Sequence, residues 1–202
     1  HLSEVIKEHL YELLNRQEVN NLLENLKKTN ASIVEDTIPG VISPGSLQKV
    51  LANLLREGIP IRDMETIIET VGDYGKQIKD TDMLTEYVRQ ALKRTISHRF
   101  SEAGQMKVIS LDEKIENMLM ASVKKMETGS YLALDPSSIQ SIITASTGEI
   151  NKIKDLVNVP IVLTSPVVRI YFKKLIDQFY PNVTVLSFSE IDNNCLLYTS
   201  DA

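Results

Sequence analysis

The chain has 202 residues, 43% of them hydrophobic and 24% charged, which is enough to bury one large core or two small ones. Its 22 basic and 27 acidic residues give a formal net charge of −5, and this balance argues against nucleic-acid binding driven by phosphate neutralisation. The single cysteine excludes a disulfide framework and any cysteine-rich zinc site.

Residues 1–14 are predicted to be the end of a helix that belongs to a preceding subdomain. Aliphatic side chains recur in this stretch mostly at steps of three and four residues, as one apolar helix face requires. The sequence begins without Met and without a signal peptide, so we expect a fragment of a longer protein. No apolar stretch approaches the roughly 18 residues that span a bilayer, and we expect the fragment to be soluble.

Residues 15–100 are predicted to form an all-α helical bundle with short connections. Asn15 is placed to cap the first of these helices, and Gly58 is placed to end another in a left-handed backbone conformation. The predicted helices cover residues 15–28, 47–57, 61–72 and 81–98.

Residues 105–194 are predicted to form a small α/β subdomain after a glycine-containing join at residues 101–105. The order of strands and helices favours a short, mainly parallel sheet. The whole chain is therefore predicted to be an α+β protein of several subdomains. The predicted strands cover residues 106–109, 159–163 and 183–186, and the predicted helices cover residues 112–126, begin at Asp135-Pro136, and run from Ser165 to Phe179.

Residues 195–202 are expected to be a non-native tail. Their sequence resembles the translation of a common sequencing adapter more than any protein family. Cys195 then carries no biological information.

The sequence predicts no catalytic, metal or cofactor site. His1, His9 and His98 lack the spacing of a zinc site, which needs three or four converging ligands. The glycine-rich loops that cradle phosphates are absent from the sequence. Ser165 follows a strand, as a hydrolase nucleophile does, but it has no flanking glycine and is predicted to cap a helix. A small-molecule or nucleotide-binding α/β enzyme is kept as the alternative hypothesis.

Charged side chains surround the corner between two predicted helices. Arg56, Glu57, Arg62 and Asp63 lie at this corner, and Glu65 follows in the next helix. Such charges either cap and solvate the helix ends or form a protein–protein contact, because arginine pairs with carboxylates and is enriched in interfaces. Both interpretations stay open at this point, and these five are the candidate interface residues.

Several long segments resemble one family in order and in spacing. That family comprises the flagellar export-gate protein FlhA and its injectisome relatives InvA and LcrD, which belong to type III secretion. The resemblance covers about residues 1–194, and the flagellar branch is the more similar one. The segments are NRQEV at 15–19, LQKVLANLL at 47–55, EGIPIRDM at 57–64, LTEYVRQAL at 84–92, IVLTSPVVR at 161–169 and VTVLS at 183–187.

The resemblance implies a parent protein in the bacterial inner membrane, with four subdomains on the cytoplasmic face. This fragment would hold the end of one subdomain, the helical third and the α/β fourth. The last strand of the fourth would be missing, leaving an unpaired sheet edge.

The resemblance also implies a function without chemistry or cofactor. Family members form a nine-membered ring and receive export substrates, flagellar export chaperones and other export-apparatus components. The chaperone groove of the family would lie mostly before residue 1. We therefore expect the helical part to supply ring contacts and the α/β part to face arriving substrates.

Overall fold

A computed structural model describes the backbone of residues 9–201, which forms two compact units. The first lies within residues 1–99 and is helical, and the second lies within residues 100–202 and combines helices with a mostly parallel sheet. The predicted α+β class is confirmed. The helix predicted for residues 1–8 lies outside the described residues. Within the described part, no helix has the length and apolar character that crossing a bilayer requires.

Side-chain caps fix where several helices of the first unit begin. Asn15 accepts a hydrogen bond from the backbone N–H of Glu18, as predicted, and Ser43 accepts one from Ser46. Pro44 occupies the first turn after that cap, which is why the helix begins earlier than predicted. The helices are α1 (Leu10–Leu13), α2 (Arg16–Thr37), α3 (Pro44–Arg56), α4 (Met64–Tyr74), α5 (Thr81–Ala91) and α6 (Lys93–Phe100).

Two predicted helices have different ends in the structure. The helix predicted to stop near residue 28 continues as α2 through a kink at Asn30, whose φ of −149° and ψ of 76° are not helical. The helix predicted over residues 81–98 is broken at Leu92, where α5 ends and α6 follows. Apolar periodicity continues across both breaks, so the sequence pattern does not reveal them.

The core of the helical unit is aliphatic. Full burial of one such side chain contributes about 1.5–3 kcal/mol, so these residues dominate the stability of the unit. The fully buried members are Val19, Leu47, Val50, Leu51, Leu54, Ile59, Ile67, Ile68, Val71, Val88 and Ile96.

The second unit is built on a four-stranded sheet in the order β5-β4-β1-β6, with all pairs parallel. Aliphatic side chains of β4 and β5 and Phe172 of the last helix form its core. Its elements are β1 (Gln105–Ser110), α7 (Glu113–Ser122), β2 (Val123–Met126), β3 (Gly129–Leu132), α8 (Pro136–Ile153), β4 (Ile161–Thr164), α9 (Arg169–Asp177), β5 (Thr184–Ser187) and β6 (Leu196–Asp201).

Two local predictions in this unit are wrong. The helix predicted over residues 112–126 ends at Ser122, and the last four residues form β2, which pairs antiparallel with β3. The β-branched Val123 and the tight turn before Gly129 favour this hairpin. Ser165 does not cap a helix with its side chain: its carbonyl accepts the N–H groups of Val168 and Arg169, and α9 begins only there.

The expectation of an unpaired sheet edge is also wrong. The predicted tail forms β6, which pairs with β1 along the whole of residues 105–110. Leu196, Leu197 and Tyr198 are 59%, 38% and 51% exposed, so the strand is held mainly through its backbone. That residues 195–202 are non-native stays a prediction.

A buried ion pair joins α9 to the end of β5. Arg169 and Glu190 are each 1% exposed, and Arg169 Nε lies 3.5 Å from Glu190 Oε1. Arg169 Nη1 donates to the carbonyl of Val185, and Glu190 Oε2 accepts the N–H of Ser187. Both charges are thus satisfied inside the protein, which is the condition for tolerating them there.

Replacing Arg169 with Ala is expected to lower the free energy of unfolding by about 3–5 kcal/mol, because Glu190 is left as an uncompensated buried charge. Chemical denaturation measures the change. Lys125→Ala, at an exposed lysine of β2, is the control and should change the free energy by less than about 0.5 kcal/mol. A loss below about 1 kcal/mol for Arg169→Ala would contradict this assignment.

Candidate interaction surface

The candidate interface residues lie around the corner that joins α3 to α4. Gly58 has a φ of 74°, the left-handed conformation predicted for it, and it ends α3. The carbonyl of Leu54 accepts the N–H groups of Glu57 and Ile59. Ile59 is fully buried, so an apolar side chain anchors the corner and the charged side chains lie around it.

Arg56 is exposed but has contacts within the chain. Its Nη1 donates to Asn53 Oδ1 over 3.1 Å, and its guanidinium carbon lies 4.7 Å from the centre of the Tyr11 ring. A guanidinium over an aromatic face is attracted by the ring quadrupole. Arg56 therefore connects α3 to the segment before α2.

Glu57 pairs with a buried arginine of α5. Its Oε2 lies 3.4 Å from Arg89 Nη1, and the side chains of Glu57 and Arg89 are 18% and 1% exposed. A guanidinium so deeply buried requires a carboxylate partner. Glu57 thus has a role inside the helical unit.

The carboxylates of Asp63 and Glu65 also have local partners. Asp63 accepts the N–H of Thr66 at 3.2 Å and its hydroxyl at 2.7 Å, so it is the N-cap of α4. Glu65 Oε1 accepts a hydrogen bond from Asn30 Nδ2 at 3.0 Å, at the kink of α2. Capping, one of the two open interpretations, therefore accounts for Asp63.

Arg62 differs from the other four residues. It is exposed, and in the described part of the chain its side chain makes no hydrogen bond or ion pair. It borders an open depression of about 490 Å³, which we call the cationic depression. The depression is lined by Pro60, Arg62, Asp63, Arg94, Thr95, His98 and Arg99.

The structure therefore brings Arg62 and Asp63 together in the cationic depression. Arg56 lines a second depression, which Tyr11 and Lys49 also line. Sequence reasoning missed Arg94 and the other α6 residues of the cationic depression. The sequence shows their spacing along α6, but only the fold places them opposite Arg62.

Removing the cap at Asp63 is expected to destabilise the helical unit. Asp63→Ala should lower the free energy of unfolding by about 1 kcal/mol, because the N–H of Thr66 loses its acceptor, whereas Asp63→Ser should retain most of it. Urea denaturation of both variants measures the difference. Equal losses for Ala and Ser would contradict the capping role.

The FHIPEP family model matches residues 1–195. The chain belongs to the FHIPEP family. It is 39% identical over 195 residues to the flagellar biosynthesis protein FlhA of Bacillus subtilis, and 29% identical over 192 residues to the low calcium response locus protein D of Yersinia pestis. These alignments cover 96% and 95% of the chain, but 29% and 27% of the two relatives. The chain thus spans less than a third of their length, and the predicted resemblance is confirmed.

Solved structures of type III secretion proteins share the fold. The CdsV protein of Chlamydia pneumoniae matches with a TM-score of 0.88 and 32% identity, over 100% of this chain and 58% of its own. Nonameric EPEC SctV-C matches with a TM-score of 0.84 and 30% identity, over 99% of this chain and 60% of its own. The nonameric EscV cytosolic domain from the type III secretion system matches with a TM-score of 0.79 and 32% identity, over 95% of this chain and 56% of its own.

Proposed function

We propose that the chain is part of the cytoplasmic ring of a flagellar type III export gate, and that it acts by binding rather than by catalysis. The similarity to two nonameric assemblies over nearly the whole chain carries this proposal. The parent protein would be anchored in the bacterial inner membrane, with these residues on the cytoplasmic side.

We assign the contacts between copies to the helical unit and the reception of export substrates and chaperone–substrate complexes to the α/β unit. Exposed apolar side chains support this division. Within the described residues, the α/β unit exposes Met118, Met120, Met126 and Tyr131 at 39–62%, along with further apolar side chains of the connecting segments. Methionine side chains are flexible and polarizable, and they suit a surface that accepts many different sequences.

Other export components are expected to bind as well. The CdsV protein has been solved in a complex with CdsO, and that structure matches this chain with a TM-score of 0.85 and 32% identity. We propose a comparable partner of the export apparatus for this chain.

Charge reversal at Arg62 tests the ring assignment. In the full-length protein, Arg62→Glu is expected to weaken self-association about 10-fold at low salt, because attraction to carboxylates becomes repulsion. Mass photometry measures the assembly, and motility measures export. Lys49→Glu is the matched control, since Lys49 is exposed and borders the other depression. Unchanged assembly and motility for Arg62→Glu would remove Arg62 from the interface.

Polar replacement of the exposed apolar surface tests substrate docking. Met126→Asp combined with Tyr131→Asp should weaken binding of export substrates about 10-fold and leave ring assembly unchanged, because the two units have separate roles. Leu13→Asp is the control, because Leu13 is 64% exposed and Met126 is 62% exposed. Undiminished substrate binding by the double variant would contradict the role of the α/β unit.

The alternative of a nucleotide-binding enzyme is disfavoured by the turn after β4. The N–H of Ser165 donates to Glu116 Oε1 at 2.7 Å, so a carboxylate occupies the carboxyl end of this strand. Related α/β folds hold phosphate at this edge, where a carboxylate would repel it. Calorimetry with ATP and with GTP should give no heat of binding. Saturable heat would restore the alternative.

A further inference from the structure

The cationic depression gathers arginine side chains, and two of them have no partner within the described residues. Arg62 and Arg94 are exposed, and neither side chain makes a hydrogen bond or ion pair within the part of the chain that the structure describes. Asp63 is the acidic residue among the described lining residues, and its carboxylate already caps α4. Arginine presents a planar fork of donors that matches a carboxylate, so the depression is suited to an acidic surface.

An acidic surface lies on the same unit, along α4. Glu65, Glu69 and Asp73 are exposed at successive steps of four residues, which places them on one face of the helix; we call them the acidic stripe. In the described residues, the side chains of Glu69 and Asp73 make no hydrogen bond or ion pair. Like charges four residues apart destabilise a helix, so folding alone does not favour this arrangement.

Neighbouring α2 extends this negative surface. The Asn30–Glu65 hydrogen bond and the close approach of Thr37 to Gly72 place the end of α2 beside α4. Glu35 and Asp36, in this part of α2, are exposed and likewise make no side-chain bond in the described part of the chain. The acidic stripe thus lies on the helix that packs against α2, whereas the cationic depression is bordered by α6 and residues 60–63.

Two complementary surfaces on one unit define the kind of contact they can make. Within one copy, Arg62 and Arg94 do not pair with Glu69 or Asp73, so a second copy is needed to bring the charges together. A contact between two different surfaces is head-to-tail, and its repetition produces a ring when the rotation closes. A two-fold dimer could pair the same two surfaces twice, so the similarity to nonameric assemblies, and not the charges, favours the head-to-tail contact.

We infer that the cationic depression of one copy binds the acidic stripe of the next copy. This inference rests on the proposed ring and names the two sides of its contact. It assigns Arg62 and Glu65 to opposite sides of the interface, adds Arg94 and Glu69, and leaves Arg56 and Glu57 to hold the corner within each copy.

Charge reversals of both sides in the full-length protein test the pairing. Arg94→Glu alone and Glu69→Arg alone should each weaken self-association about 10-fold at low salt. The double variant should recover most of the loss, because the reversed charges attract again. An equal mixture of the two single variants should form mixed complexes, because each reversed surface meets a compatible one on the other variant. Mass photometry with one variant carrying a larger tag distinguishes mixed from uniform complexes.

Disulfide trapping provides a second measurement that does not depend on charge. In the full-length protein with its other cysteines replaced by serine, the pair Arg94→Cys and Glu69→Cys should give a ladder of cross-linked copies on mild oxidation, whereas each single cysteine should give none. Dimers from either single cysteine would indicate a symmetric contact and overturn the inference. The thermal unfolding temperature of every variant should stay close to that of the unaltered protein.

The possible results separate the inference from the proposed ring. If the unaltered protein assembles and both reversals assemble equally well, the inference is overturned and the ring stands. If the reversals weaken assembly but neither the double variant nor the mixture recovers it, the pairing is also overturned. If the unaltered full-length protein stays monomeric, the proposed ring itself fails.

Discussion

A buried guanidinium is the constraint on which the helical unit depends. Arg89 lies on α5 at 1% exposure, and Glu57 at the end of α3 neutralises it. Leaving such a charge without its partner costs several kcal/mol, so the end of α3 is held against α5. Gly58 then turns the chain, Ile59 enters the core, and Asp63 starts α4. The position of the exposed Arg62 follows from this chain of contacts.

The α/β unit uses a similar arrangement for a different join. Arg169 on α9 pairs with Glu190, just after β5, and the pair also bonds to the backbone of Val185 and of Ser187. In each unit a buried arginine fixes how two neighbouring elements meet. The charged residues therefore fall into two groups. Glu57 stabilises the fold through its buried partner, whereas Arg94 is exposed and available to another molecule.

Local sequence signals predicted much of the fold but little of the surface. The helix cap at Asn15 and the left-handed turn at Gly58 depend on only a few neighbouring residues, so both could be predicted from the sequence. The strand at residues 123–126 was predicted as helix because four residues are too few to distinguish one periodicity from another. The charges at the corner could be identified in the sequence. Their partners could not, because tertiary packing decides that Glu57 faces Arg89 and that Arg62 faces α6.

The way β6 joins the sheet has a consequence for the outer edge of β1. The side chains of β6 at residues 196–199 are exposed, so the strand is held mainly by main-chain hydrogen bonds, which depend little on sequence. The short segment of residues 191–195 tethers β6 beside β1, which gives the strand an effective concentration in about the millimolar range at that edge. An extended segment held beside the edge of β1 can therefore pair with it through its backbone, with little dependence on its side chains.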